Sequence, residues 1–344
     1  MKNPYTLLFG RAPEQLIQRT ADKAEILQNF SYDDPTEQVY MISGVRGSGK
    51  TVFMTDISNQ LKKEEEWVVI DLSSESNLLD DFASLLSSEN SRAELFKKAK
   101  LNLSFWGFGL EVADSAPITS LQLALTKMLE TLKKHRKKVL VTIDEVVNNK
   151  QMREFASTFQ IFMRQELPVC LLMTGLFENI DELQNEKNLT FLYRAPKKCL
   201  EPLSKREMAD NYKKALKIND SDAMEMAQLT KGYSFAFQVL GHFTWEAKGD
   251  FRKAVEQTKR YVSDYSYDKI WAELSNNDRK ILYGISNTPS GKIVDVRNSL
   301  GITTNEFNPY RKRLIKKGLI DGSQYGYVKL VLPFFDEYVQ ENWE

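Results

Sequence analysis

Eight residues constrain this chain more than any others. Gly44-Val45-Arg46-Gly47-Ser48-Gly49-Lys50-Thr51 fits the pattern G-x-x-x-x-G-K-[ST] at every fixed position, with a third glycine inside. The apolar run Gln38-Val39-Tyr40-Met41-Ile42-Ser43 precedes it, and Val52-Phe53-Met54 opens a helical stretch after it. A strand, a glycine-rich turn and a helix make a phosphate cradle. Glycines let backbone N–H groups curl around phosphate oxygens, and the helix N-terminus adds partial positive charge. Lys50 is placed to reach the β- and γ-phosphates, and the Thr51 hydroxyl to ligate Mg²⁺. These eight residues and Val52 form the candidate nucleotide site, with ATP and Mg²⁺ as the expected ligands.

Around this loop, apolar strands alternate with amphipathic helices. Trp67–Leu72, Val139–Ile143 and Val169–Thr174 are continuous apolar runs, and Lys198-Cys199-Leu200 is a weaker fifth candidate. Such runs fit strands covered on both faces, as in a parallel sheet. Leu121, Leu125, Met128, Leu129 and Leu132 share one helical face, and Phe155, Phe159, Phe162 and Met163 share another. The pattern predicts an open α/β sheet.

Two of these strands deliver chemistry at their carboxyl ends, the edge where open α/β sheets bind ligands. Val139–Ile143 runs into Asp144-Glu145. Asp144 is expected to hold the Mg²⁺ shell, and Glu145 to orient and deprotonate a water aimed at the γ-phosphate. Leu171-Leu172-Met173-Thr174 ends on a hydroxyl before Gly175, placed to sense the γ-phosphate or to position the water, or else a plain strand end.

Composition closes off other classes. The 344 residues carry 47 basic and 47 acidic side chains, with apolar residues at 42%. That is an ordinary globular balance with no global pull toward nucleic acid. No apolar run approaches the ~20 residues that span a bilayer, and the N-terminus lacks an apolar signal core. A cytoplasmic protein is expected. Cys170 and Cys199 cannot make a four-ligand zinc site, and His135 and His242 have no metal-like neighbours in sequence. The run Lys133–Lys138 suits a solvated helix C-terminus.

Between the second strand and the Leu121 helix, Leu101, Leu103 and Phe105 alternate with polar residues before Trp106-Gly107-Phe108-Gly109. This predicts an inserted hairpin, either a structural flap or a partner-binding aromatic tip. After Pro202 the strands stop and helices take over, with breaks at Asn219-Asp220, Lys231-Gly232 and Gly249-Asp250. From Tyr265 onward, three helices precede a strand–turn–strand around Gly322–Gly326, the layout of a winged helix. A capping box at Ser275–Asp278 starts the first of them. The third, through Tyr310–Lys317, carries Arg311, Lys312, Arg313, Lys316 and Lys317. With Glu306, the stretch from Thr303 to Gly318 is net +4, whereas Leu319 to Glu344 is net −4. A DNA-binding face and a protein-docking module both fit.

Phe9-Gly10-Arg11-Ala12-Pro13-Glu14-Gln15-Leu16 fits G-R-x-x-E-x-L. With the phosphate loop, the Asp144-Glu145 strand and the Met173-Thr174-Gly175 end following in order, the chain resembles the AAA+ branch of P-loop ATPases. In pattern it is similar to the STAND-like archaeal and bacterial ATPases related to the origin-initiator clade. The resemblance implies an AAA+ core at 1–202, a helical lid at 203–264 and a winged helix at 265–344. It implies sheet order 5-1-4-3-2, nucleotide between core and lid, and Arg11 next to the adenine. Arg194, before the fifth strand, stands where such proteins often keep an arginine finger; a lid-hinge salt bridge and a solvated side chain are the alternatives. Gly232-Tyr233-Ser234-Phe235-Ala236-Phe237, at the place of the lid sensor, carries no arginine, and Ser234 stands where STAND relatives often have proline.

The expected reaction is Mg²⁺-dependent ATP hydrolysis driving a conformational or assembly change. The alternatives are a low-turnover ATP-gated switch and a DNA-binding regulator whose oligomeric state ATP sets. DNA, a protein partner and further copies of the chain are the candidate macromolecular partners; no membrane is expected.

Overall fold

The structure, a computed structural model, describes residues 2–7, 13–107 and 116–343. The chain divides into two compact units, one of Thr20–Ser43 and Phe53–Cys199, the other of Met1–Arg19, Gly44–Val52 and Leu200–Glu344.

The first unit is a five-stranded parallel sheet with helices around it. Its strands are β1 (Val39–Ser43), β2 (Trp67–Ser73), β3 (Lys138–Asp144), β4 (Val169–Gly175) and β5 (Lys197–Cys199), and their lateral order is β2-β3-β4-β1-β5. Read from the other edge, this is the 5-1-4-3-2 order expected from the resemblance. Every residue of β1 and β4 is buried, which is why their sequences are apolar runs up to Ser43 and Thr174 rather than alternating. Phe155, Phe159 and Phe162, on the helix Lys150–Arg164, are fully buried in the core with Leu125, Met128, Leu129 and Leu132 of the helix Leu121–Lys134.

The expected hairpin after β2 takes another form where it is described. Ser104–Trp106 is a single 3₁₀ turn rather than a strand. Asn102 accepts bonds from both the amide and the hydroxyl of Ser104, at 3.1 and 2.6 Å, and this local turn displaces extended backbone. The remainder of the predicted hairpin, 108–115, lies outside the described residues.

The second unit is helical. Lys205–Leu216, Asp220–Leu229, Ser234–Glu246 and Phe251–Val262 pack around Tyr212, Phe237 and Phe243. Asn219 caps the second of these through Asp222 N–H. Phe251–Val262 continues through one π-helical turn, Ser263–Tyr267, into Asp268–Ala272. Three helices follow, Asn276–Ser286, Ile293–Leu300 and Thr304–Lys316, and then a short antiparallel pair, β6 (Ile320–Asp321) and β7 (Lys329–Leu330). This is the winged-helix layout, and the Ser275–Asp278 capping box is present. The third helix begins six residues before Tyr310, because Thr303 and Glu306 form a second capping box that starts it despite Pro309. A final helix, Phe335–Glu341, buries Phe335 and Val339. Among the described residues, no helix is long and apolar enough to cross a membrane.

Candidate nucleotide-binding site

The phosphate loop leaves β1 at Ser43 and enters the helix Lys50–Leu61. Gly47 and Gly49 adopt φ of +76° and +92°, conformations that cost an L side chain free energy and that glycine takes freely. Crowding adds to the requirement at Gly47, where a Cβ would lie 2.8 Å from the Tyr233 ring carbon Cζ and 3.0 Å from Phe235 Cβ. Ser48 N–H closes a turn onto Val45 O at 3.2 Å. Lys50 arches back over the loop, its Nζ 3.0 Å from Gly44 O and 2.9 Å from Val45 O. Thr51 and Val52 occupy the first turn of the helix, which holds no acidic residue and so leaves its positive end for an anion. Ser48 Oγ is buried with no hydrogen-bond partner among the described residues, a group that a phosphate oxygen would satisfy.

The Arg46 side chain turns away from this cradle. Its Nη2 lies 3.1 Å from Glu273 Oε1, so Arg46 serves the loop through its backbone. The carbonyls on the outer side of the loop are taken up one after another. Arg46 O accepts from the Tyr233 hydroxyl at 2.7 Å, Gly47 O from Phe235 N–H at 3.1 Å, and Ser48 O from the Ser234 hydroxyl at 2.9 Å. Arg19 Nη2 also reaches Ser48 O, at 3.3 Å. These contacts were not foreseen from the sequence. The signal was present as two hydroxyl residues after Gly232, in the segment that lacks an arginine.

In the sheet unit, Asp144 and Thr174 end neighbouring strands. The β3–β4 register pairs Ile143 with Met173, which brings the next residues, Asp144 and Thr174, side by side. The buried Thr174 hydroxyl donates to Asp144 Oδ1, and Glu145 N–H donates to the same oxygen at 3.0 Å. Glu145 is exposed and sits at φ +51°, a left-handed conformation that costs a non-glycine residue about 1–2 kcal/mol. Val146 N–H, bonded to Thr174 O at 2.9 Å, pins the turn that imposes it. Strain of this kind concentrates where a side chain must be aimed.

Arg194 ends the short helix Thr190–Arg194 and is exposed beside the equally exposed Tyr193. It has no ion-pair partner among the described residues. Arg11 lies outside the described residues. No group of three or more His, Cys, Asp or Glu that could hold a metal ion occurs among the described residues. Magnesium held with a nucleotide needs no such cluster, since one carboxylate, a hydroxyl, phosphates and waters complete its octahedron.

In the winged helix, Arg311 and Arg313 are both engaged within the domain. Arg311 Nη2 donates to Gly322 O at 3.0 Å, and Arg313 is paired with Asp278. Lys317 is half-buried, and burial holds its ammonium below the usual lysine range. The outward stripe is instead Asn305, Asn308, Lys312 and Lys316, all exposed, with Tyr325 almost wholly exposed at the tip of the wing.

Residues 25–232 match the family model described as an ATPase domain predominantly from Archaea, and 264–339 match a domain of unknown function, DUF8462. No curated protein shows significant sequence similarity to the chain. Among solved structures, the fold is similar to that of a Walker-type ATPase of Pyrococcus abyssi, with TM-score 0.68 and 16% identity over 94% of this chain and 96% of that one. It is also similar to the ORC2 protein of Aeropyrum pernix, solved as ADPNP–ADP complexes, with TM-score 0.65 and 14% identity over 97% and 95% of the two chains. At such identities the likeness shows the fold alone, a parallel sheet carrying the phosphate loop and followed by a helical region.

Proposed function

Since the chain belongs to the family of ATPase domains found predominantly in Archaea, we propose that it binds ATP with Mg²⁺ and hydrolyses it to drive a conformational or assembly change. The observation that carries this reading is the phosphate loop, with left-handed Gly47 and Gly49 and with Lys50 held over it by two carbonyls. In this reading the loop amides and Lys50 hold the phosphates, Thr51 and Asp144 hold magnesium, and Glu145 takes the proton of the attacking water. Magnesium, when bound, neutralises charge on the phosphate oxygens. Thr174 keeps one Asp144 oxygen occupied and thereby aims the other. Arg194, exposed and without an ion-pair partner among the described residues, is the group we assign to a neighbouring copy's γ-phosphate. Arg11 is assigned to the adenine, by its place in the entry motif. The working domains are 1–202, 203–264 and 265–344.

The test is phosphate release from ATP with magnesium and with EDTA, next to nucleotide binding by calorimetry. Lys50→Ala should abolish measurable binding, because a charge-assisted contact to phosphate is lost. Binding that survives Lys50→Ala unchanged excludes the phosphate-loop assignment. Tight ATP binding without turnover would favour the switch reading.

A second reading concerns the tail. The exposed stripe Asn305, Asn308, Lys312 and Lys316 supports a DNA-contacting face on the third helix, with Tyr325 on the wing. Amide side chains suit base edges and lysines suit phosphates. In this reading ATP state governs how the tail meets DNA.

A further inference from the structure

Fixing a carbonyl fixes the amide that follows it. A trans peptide is planar, so its C=O and the next N–H point in opposite directions. The bond from Tyr233 to Arg46 O therefore directs the Gly47 amide to the other face of the loop, the face that cradles phosphate. The bond from Ser234 to Ser48 O does the same for the Gly49 amide.

The Tyr233 hydroxyl is tied on both sides. It lies 2.7 Å from Arg46 O and 2.7 Å from Ser266 Oγ. A phenol has one proton. With that proton given to the carbonyl, Ser266 must be the donor to Tyr233. Ser266 is itself buried, within the π-helical turn that leads to the winged helix, and the Tyr233 and Tyr267 rings stack 6.4 Å apart. Burial pushes the Tyr233 phenol well above the usual tyrosine range, so it stays a donor at any ordinary pH. Glu273, one residue past the helix Asp268–Ala272, pairs with the Arg46 side chain. Arg46 is thus held at its carbonyl by Tyr233, which Ser266 backs, and at its side chain by Glu273.

We propose that Tyr233 is a positioning residue for nucleotide binding, setting the Gly47 amide through Arg46 O while Ser266 holds it from the π-helical turn. The inference rests on the nucleotide reading above. Because it acts on the loop backbone, which cradles the inner phosphates, Tyr233 treats ADP and ATP alike. It supplies order to the loop where a lid arginine would supply contact to the γ-phosphate.

The experiment measures ADP and ATP dissociation constants for the full chain, wild type against Tyr233→Phe and Ser266→Ala, together with turnover. Tyr233→Phe removes only the hydroxyl and leaves Arg46 O without its donor. Both nucleotides should bind about tenfold more weakly, the size expected for a lost bond to a part-buried carbonyl. Their affinity ratio should be unchanged, KM should rise and kcat should stay within about twofold. Ser266→Ala should weaken both by about threefold, and the double variant should be no worse than Tyr233→Phe, since Ser266 acts through Tyr233. A Tyr233→Phe protein that melts lower but binds ADP as wild type does would show a merely structural role and overturn the proposal. So would a loss confined to ATP. Should Tyr233→Phe not fold, unchanged ADP binding in Ser266→Ala overturns it alone. A wild type that binds no nucleotide would instead remove the nucleotide reading itself.

Discussion

Arg313 closes on Asp278 with two nitrogens, Nε at 2.9 Å and Nη2 at 2.6 Å from the same carboxylate oxygen. The carboxylate is 3% exposed, and its other oxygen accepts from the Ser275 hydroxyl at 2.7 Å. One aspartate therefore caps the first helix of the winged helix and ties it to the third. Removing the arginine would leave a buried charge with only its cap, whereas a fully buried pair broken this way costs about 3–5 kcal/mol. Arg313 is 44% exposed, so water recovers part of that. Arg313→Ala should destabilise the tail by about 2 kcal/mol in chemical denaturation. Equal stability of variant and wild type would show that the pair contributes nothing.

The outward lysines should behave in the opposite way. Lys312→Ala with Lys316→Ala should leave thermal stability within about 0.5 kcal/mol, as surface changes usually do. If the stripe meets duplex DNA, the slope of log affinity against log salt should flatten by roughly two units. Binding with no salt dependence would assign the tail to protein docking.

Glu145→Gln tests hydrolysis apart from binding. The amide keeps the shape and the left-handed backbone but cannot take a proton. ATP affinity should hold, while turnover falls by about 10²–10⁴-fold. Near-wild-type phosphate release from this variant would take Glu145 out of the mechanism.

Arg194→Ala should lower turnover without changing ATP affinity if the arginine serves a neighbouring copy. Mixed with Glu145→Gln protein, it should regain activity at interfaces that pair an intact Arg194 with an intact Glu145. A mixture no more active than its separate components would leave Arg194 as a solvated side chain.

Acid should loosen the tail at the Glu306 capping box. Bonds from the Thr303 amide and then the Thr303 hydroxyl hold the Glu306 carboxyl below the usual glutamate range. A depressed folded pKa gives stability that is present above the unfolded value of about 4.3 and is lost as pH falls through the folded one. Glu306→Gln keeps a capping side chain without a proton to gain. Its unfolding midpoint should therefore change less than that of the wild type between about pH 5 and pH 3. Parallel curves would remove Glu306 from the acid response.

Much of the molecule follows from neighbours in sequence. The loop Gly44–Thr51, the apolar strands and the capping boxes are set within a few residues, because backbone conformation, helix caps and phosphate cradles obey short-range rules. Even Asp144 and Thr174 could be placed at strand ends from the runs that precede them. Side-chain partners came from elsewhere. Arg311 and Arg313 carry the same charge as Lys312, and only packing against Gly322 and Asp278 turns them inward. Tyr233 finds Arg46 across 187 residues of chain. The left-handed Glu145 depends on a bond from Val146 to the neighbouring strand. Such contacts are long-range, and a hydroxyl or guanidinium satisfies many partners equally well. Which one it takes is decided by the packed backbone that brings the two groups together and excludes water from between them.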